Sequence, residues 1–170
     1  MKTIGVLSDT HLSSGDDISI MRTISENALV DADIILHAGD IHDLALLEAI
    51  FSPRPFFAVA GNMDSTIACG ELPALRILDI EKVKIALLHG HSLPQPVHRS
   101  LLKKFSDKNA VVFGHTHEPY CKKHHGVLLF NPGSPTQPRG HSQASVGLLR
   151  VEQSSIEGHI INLHPSGGSI

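Results

Sequence analysis

Short runs of Val, Ile, Leu and Phe recur along the chain: TIGVLS (3–8), DIILHA (33–38), PFFAVA (55–60), KIALLH (84–89) and AVVFGH (110–115). They are nearly continuous rather than alternating. This is the pattern of strands covered on both faces, and it predicts that all five lie in the middle of a sheet. Helical spacing appears between them over Ile18 to Val30, over His42 to Ile50 with Leu44, Leu47 and Ile50 on one face, and over Pro96 to Phe105 with Pro96 near the first turn. Strand and helix alternate, so the first half reads as α/β with parallel pairing.

From about Leu72 the pattern changes to hairpins. LRILDIEKVKIALLH turns near Glu81 and Lys82, PYCKKHHGVLLFNPGS near Gly126, and ASVGLLRVEQSSIEGHIINL near Ser154. PTQPRGHSQ (135–143) reads as a polar loop and HPSGGSI (164–170) as a frayed tail. No repeat or linker divides the chain, and 170 residues suffice for one substantial core but not for two, so residues 1–170 are expected to form a single domain.

The ends of the apolar runs carry the chemistry. VLSDTH ends in Asp9 and His11, ILHAGD in Asp40, FAVAGN in Asn62, IALLHGH in His89 and His91, and VVFGHTH in His115 and His117. Five strands thus deliver metal-ligand side chains at their carboxyl ends, the edge of an α/β sheet where ligands bind. Gly39, Gly61, Gly90 and Gly114 stand beside these residues, where a chain leaving a sheet turns sharply or approaches another backbone. In D-x-H and H-x-H, residues two apart in extended backbone point to the same side, so each pair can face one ion or two adjacent ions. Taken singly, Asp40 reads as a helix cap and Asn62 as a turn residue; for all seven donors, such readings require seven independent coincidences.

Composition sharpens this picture. The chain has 13 His against 14 Lys and Arg together, which favours metal binding or proton transfer. Hydrophobic residues make up 41% and charged residues 18%, so the chain should fold without a partner. A net charge of -3 argues against a broad electrostatic surface for duplex nucleic acid. Cys69 and Cys121 are too few for a disulfide framework. With no signal-peptide pattern and no apolar stretch near the roughly 20 residues needed to span a bilayer, a soluble cytoplasmic protein with no membrane association is expected.

A carboxylate such as Asp40 can bridge two divalent ions, imidazoles suit Zn, Mn, Fe or Ni, and the Asn62 amide oxygen adds an uncharged ligand. Two ions roughly 3.5 to 4 Å apart acidify a bridging water enough to attack phosphorus. In this order, the residues resemble the calcineurin-like metallophosphoesterase superfamily, whose blocks read D-x-H, G-D, G-N, H and G-H-x-H. The likeness runs from Ser8 to about Ser134, and NPGS at Asn131 to Ser134 is similar to the small bacterial and archaeal phosphodiesterase branch. The resemblance implies a four-layer αββα sandwich of two mixed β sheets flanked by helices, the metallo-dependent phosphatase fold.

It further implies that Asp9, His11, Asp40 and His117 hold one divalent ion, and that Asp40 bridges to a second held by Asn62, His89 and His115. Mn is favoured over Ni, Fe or Zn. Asp40, Asn62 and His91 are the residues expected to act in catalysis on a small phosphoester. Relatives carry His or Cys after G-N, whereas this chain has Met63, which cannot donate a proton; His91 is the candidate acid or an orienting neighbour. The small retromer subunit resembles the same family and serves as a scaffold, so a catalytically weak or inactive binding module is the alternative. A homo-oligomer is compatible with the sequence but nothing in it requires one.

His37, His42, His98, His124, His125, His141, His159 and His164 match no block and most read as ordinary polar positions; lining of the substrate cleft by His98 or His141 is the alternative, with the ordinary reading preferred for each. Arg139 reads as a loop charge, and Lys122, Lys123, His124 and His125 as a solvated turn. Loops 12–17, 92–96 and 135–143 are expected to select the substrate.

Overall fold

Alternation in depth, not in polarity, explains the continuous apolar runs. The computed structural model describes residues 1–13, 15–65 and 72–163; Ser14, Cys69, His164 and the tail 164–170 lie outside them. Among the described residues the elements run β1 (Lys2–Leu7), α1 (Ser19–Thr23), a π-helical turn (Ile24–Ala28), β2 (Ile34–His37), α2 (Leu44–Phe51), β3 (Phe56–Ala58), β4 (Leu75–Ile80), β5 (Val83–Leu88), α3 (Val97–Lys104), β6 (Ala110–Val112), β7 (Tyr120–His124), β8 (Val127–Asn131), β9 (Ser145–Glu152) and β10 (Ser155–Asn162).

The strands make two mixed five-stranded sheets, ordered β10-β9-β1-β2-β3 and β4-β5-β6-β8-β7. β1, β2 and β3 pair in parallel, as do β5, β6 and β8, while the three hairpins pair antiparallel. The hairpins turn where the sequence predicts. Ile4, Val6 and Leu36 of the first sheet meet Ile85, Leu87, Val112 and Phe130 of the second in a core between the sheets. The neighbours of these residues face outward: Leu7 and Ile35 pack on Met21, Leu47 and Phe51, and Ala86, Val111 and Leu129 pack on Val97, Leu101 and Phe105. Both faces are covered, so both registers are apolar. The result is helix, sheet, sheet, helix: the α/β metallophosphatase sandwich.

Two expectations need correction. β3 is an edge strand rather than a central one. Its backbone is capped by the segment that follows, where Arg76 Nε donates to the Ala58 carbonyl at 2.7 Å and Ala60 N–H to Pro73 at 3.0 Å. The helix expected over Ile18 to Val30 is α-helical only through Thr23. Leu29 N–H reaches back five residues to the Ile24 carbonyl at 2.9 Å, and the guanidinium of Arg54 takes the Ser25 carbonyl at 3.3 Å and the Leu29 carbonyl at 2.7 Å. A cation from a distant loop thus supplies the donor that an α-helical turn would have provided.

Candidate metal centre

Five strand ends meet at one rim, and hydrogen bonds between their loops fix the spacing. Asp9 N–H donates to the Gly39 carbonyl at 2.9 Å, His11 N–H to Asp40 at 3.0 Å, and Gly114 N–H to His89 at 3.1 Å. The expectation of extended backbone within D-x-H and H-x-H is wrong. Asp9 (φ 53°), His11 (47°), Asp40 (57°), His115 (70°) and His117 (59°) all lie in the left-handed region. Each costs on the order of 1–3 kcal/mol and persists because the surrounding hydrogen bonds over-determine it. Here the chain turns two to three residues past each strand end, at Asp9, Asp40 and His115.

The glycines divide between two tasks. Gly39 (φ 95°) and Gly90 (φ 97°) are turn positions. Gly61 and Gly114 instead allow close approach: a Cβ on Gly61 would strike the Asp40 carboxylate, and one on Gly114 the Ser8 hydroxyl and Asp9.

Asp9, His11, Asp40 and His117 each offer one ligand atom, all within 4.8 Å of one another. His117 Nε2 lies 3.3 Å from Asp9 Oδ1 and 3.4 Å from His11 Nε2, and His11 Nε2 lies 3.8 Å from Asp40 Oδ2. Alongside, His89 Nε2 lies 3.3 Å from Asp40 Oδ2 and 3.2 Å from Asn62 Oδ1. The His115 ring packs edge-on to His89 with centroids 5.3 Å apart, while the His115 backbone N–H donates to both oxygens of Asp9 at 3.2 and 3.0 Å. His11, His89 and His117 therefore meet the Asp9 and Asp40 carboxylates, and Asn62 and the His115 ring stand against His89. His91 is exposed beside them, its ring 5.5 Å from His89 and 6.3 Å from His115.

The tautomers decide what the donors await. His117 Nδ1–H donates to the Gln137 carbonyl at 2.6 Å and His89 Nδ1–H to the Ala38 carbonyl at 2.7 Å. In the neutral ring this leaves a lone pair on each Nε2, aimed at the centre. His117 Nε2 then faces Asp9 Oδ1 and His11 Nε2, two further candidate ligand atoms of the same cluster. The donor set, N and O ligands with no sulfur, fits a divalent transition metal.

Electrostatics point the same way. Burial pushes the Asp9 carboxyl above its ordinary value against its hydroxyl partner Ser8, so this acid is short of positive charge. Burial also pushes Asp40 up, but His89 and the Met63 N–H, donating to Oδ1 at 2.8 Å, outweigh it and hold the carboxyl at about 2. Burial lowers His11 and His115, keeping them neutral and able to coordinate. His89 is raised, because Asp40 and Asp9 outweigh its burial.

Several working residues escaped the sequence reading. Asp64 accepts N–H bonds from Asp40 (2.9 Å), Ile41 (2.6 Å), His42 (3.0 Å) and Gly61 (2.8 Å), so one carboxylate fastens two of the ligand loops. Its only signal is its place two residues after Asn62. His37 and His42, read as ordinary polar positions, are neither ordinary nor idle. His37 is fully buried; Gly39 N–H donates to its Nδ1 at 3.2 Å, so its Nε2–H donates to Thr10 Oγ1 at 3.1 Å. His42 Nε2 lies 3.3 Å from His11 Nδ1. Met63 turns its side chain to solvent, 57% exposed, and serves through its backbone.

The NPGS segment is a strut. Asn131 Nδ2 donates to the Gly114 carbonyl at 3.0 Å, Ser134 Oγ to Asp9 at 2.8 Å and Thr136 Oγ1 to Thr10 at 2.8 Å. With Gln137 on His117, it ties down both ends of the ion-facing edge.

The sequence model described as the calcineurin-like phosphoesterase superfamily domain matches residues 1–154. The chain belongs to this family. Among other members of the calcineurin-like phosphoesterase superfamily, a probable metallophosphoesterase from Methanothermobacter thermautotrophicus is 34% identical over 160 residues, covering 93% of this chain and 91% of that protein. Phosphodiesterase YfcE from Escherichia coli is 36% identical over 105 residues, 58% of this chain and 54% of its own length. Vacuolar Protein Sorting 29 from Cryptosporidium parvum has the same fold, with a TM-score of 0.76 at 19% identity, covering 96% of this chain and 92% of that one. Among the described residues no helix is long and apolar enough to cross a membrane.

Proposed function

We propose that the chain is a dinuclear metal-dependent phosphodiesterase acting on a small phosphoester in the cytoplasm. One observation carries the reading: His117, its Nδ1 committed to the Gln137 carbonyl, turns Nε2 to Asp9 Oδ1 at 3.3 Å and His11 Nε2 at 3.4 Å. Asp9, His11, Asp40 and His117 hold the first ion, and Asp40, Asn62, His89 and His115 the second, with manganese favoured. Bound divalent ions supply an acidified water as nucleophile and neutralise charge on the phosphoryl oxygens.

The chain's own groups do the rest. Asp40, kept ionised by His89 and the Met63 N–H, contributes fixed negative charge between the two sites. The Ala38 and Gln137 carbonyls hold His89 and His117 in the tautomer that coordinates. Met63 offers no proton, so His91, exposed beside His89 and His115, is assigned to protonate the leaving oxygen.

The test is hydrolysis of bis(p-nitrophenyl) phosphate by purified protein loaded with manganese. Turnover well above an Asp40→Ala control, with about two ions bound per chain, is expected. The scaffold reading, favoured by Met63 and by the shared fold of Vacuolar Protein Sorting 29, expects sparse metal and no turnover above that control.

A further inference from the structure

On the outer side of the second sheet, where α3 begins and the chain leaves His117, lies a cavity of about 280 Å³. Gln95, Pro96 and His98 line one side; Phe113, Pro119 and Tyr120 line the other. Thr116, the residue between His115 and His117, lines it too, so cavity and metal centre share one short loop.

Its walls are flat. The His98 and Tyr120 rings are parallel within 9° with centroids 6.2 Å apart, which gives the cavity a common ring orientation for a flat group to adopt. Tyr120 and His124 are likewise parallel within 9°, and the Tyr120 hydroxyl lies 2.9 Å from His124 Nε2. That contact fixes the orientation of the Tyr120 ring from outside the cavity. Lys122 Nζ stands 5.6 Å from the Tyr120 ring centroid, a positive charge beside it. Besides the His98 and Tyr120 rings, the polar residues of the lining are Thr116, Glu118 and Gln95, whose Oε1 accepts the Val97 N–H at 3.3 Å. Flat ring walls with a few hydrogen-bonding side chains suit the face and edge of a heterocycle. A bare sugar would ask for more hydrogen-bonding groups, and a long acyl chain for more length.

We propose that this cavity is a nucleobase subsite, with the base against His98 and Tyr120 and the attached phosphodiester at the metal centre. The catalytic part of this assignment rests on the phosphodiesterase reading above; the binding part does not. It makes nucleoside-bearing phosphodiesters the substrate class, and it gives Tyr120 and His98 a specificity role.

Two measurements test it. Tyr120 is the sole tyrosine in a chain without tryptophan, so intrinsic emission reports this cavity alone. Titrating the zinc-loaded protein with AMP, corrected for nucleotide absorbance, is expected to quench that emission saturably, while ribose 5-phosphate leaves it unchanged. His98→Ala, on the exposed face of α3, should weaken the AMP response about tenfold, the scale of one lost base stack. In the manganese-loaded enzyme, thymidine 5′-(p-nitrophenyl) phosphate should exceed ethyl p-nitrophenyl phosphate in kcat/KM by about tenfold or more, although both release the same phenolate. That ratio should collapse in Tyr120→Leu and survive in Tyr120→Phe. Equal responses to AMP and ribose 5-phosphate, or a ratio that both His98→Ala and Tyr120→Leu leave untouched, overturns the subsite. If neither ester is hydrolysed, the phosphodiesterase reading fails, and the emission titration decides the subsite by itself.

Discussion

Asp64 grips Asp40 by its backbone, with Oδ2 accepting the Asp40 N–H at 2.9 Å and the Gly61 N–H at 2.8 Å while Oδ1 takes Ile41 and His42. All four of these partners are donors. Asp64→Asn turns one acceptor into an NH2 facing N–H groups, leaving buried donors without a partner. We expect a loss of about 2–4 kcal/mol in urea unfolding and a metal affinity about 10- to 100-fold weaker by calorimetry. Wild-type affinity in a folded Asp64→Asn protein would show that the grip does not position Asp40.

Divalent ion should raise stability by mass action. At a free concentration 100 times the dissociation constant, a single site adds about 2.7 kcal/mol. Manganese is therefore expected to lift the thermal midpoint of the wild type by several degrees and that of His117→Ala by much less. Scans with and without chelator check this; equal shifts in the two proteins would remove His117 from the ligand set.

His37 sets a pH dependence in the metal-free protein. Burial holds its folded-state pKa at about 3, against 6.5 for the solvent-exposed imidazole expected on unfolding. The unfolded chain therefore takes up a proton below pH 6.5 that the folded chain refuses. Its neutral form is fully compatible with folding above 6.5, and stability is lost as pH falls from there toward 3, by up to about 1.4 kcal/mol per unit. His37→Gln cannot titrate. It should start less stable near neutrality, and its deficit should shrink steadily as the pH is lowered; a deficit independent of pH, in urea unfolding between roughly pH 7.5 and 5, counts against a neutral buried imidazole.

Gly114→Ala and Gly126→Ala separate close approach from backbone strain. The first drives a methyl into Ser8 and Asp9; the second, at φ 89°, meets nothing within 4 Å. We expect about 2–4 kcal/mol and loss of metal binding for Gly114→Ala. Gly126→Ala should cost about 1 kcal/mol with metal binding intact. Calorimetry and denaturant midpoints for the two variants distinguish these outcomes.

The sheets and the cluster of Asp9, His11, Asp40 and His117 were legible because burial on two faces and a polar residue at a strand end both leave local marks. Relationships between distant segments left none. β3 reads like β1 and β2, since the Arg76 side chain that covers its edge comes from 18 residues downstream. The π-helical turn depends on Arg54, which no spacing within 18–30 encodes. His37 looked ordinary because its partner Thr10 lies on another strand end, 27 residues away. The left-handed backbone at Asp9, His11, Asp40, His115 and His117 was missed for a related reason: non-glycine residues adopt it only when long-range hydrogen bonds hold them there.

The strut formed by residues 131–137 orders events in the life of the molecule. A nascent chain that has emerged as far as His117 already owns every donor, yet lacks the groups that grip Asp9, Thr10, Gly114 and His117. His117 is still untethered there, although the Ala38 carbonyl and the Met63 N–H can already hold His89 and Asp40. The geometry of the cluster thus depends on a segment that follows the last of its members along the chain, so a truncation before residue 131 would keep every candidate ligand and lose the grip on Asp9, Thr10, Gly114 and His117.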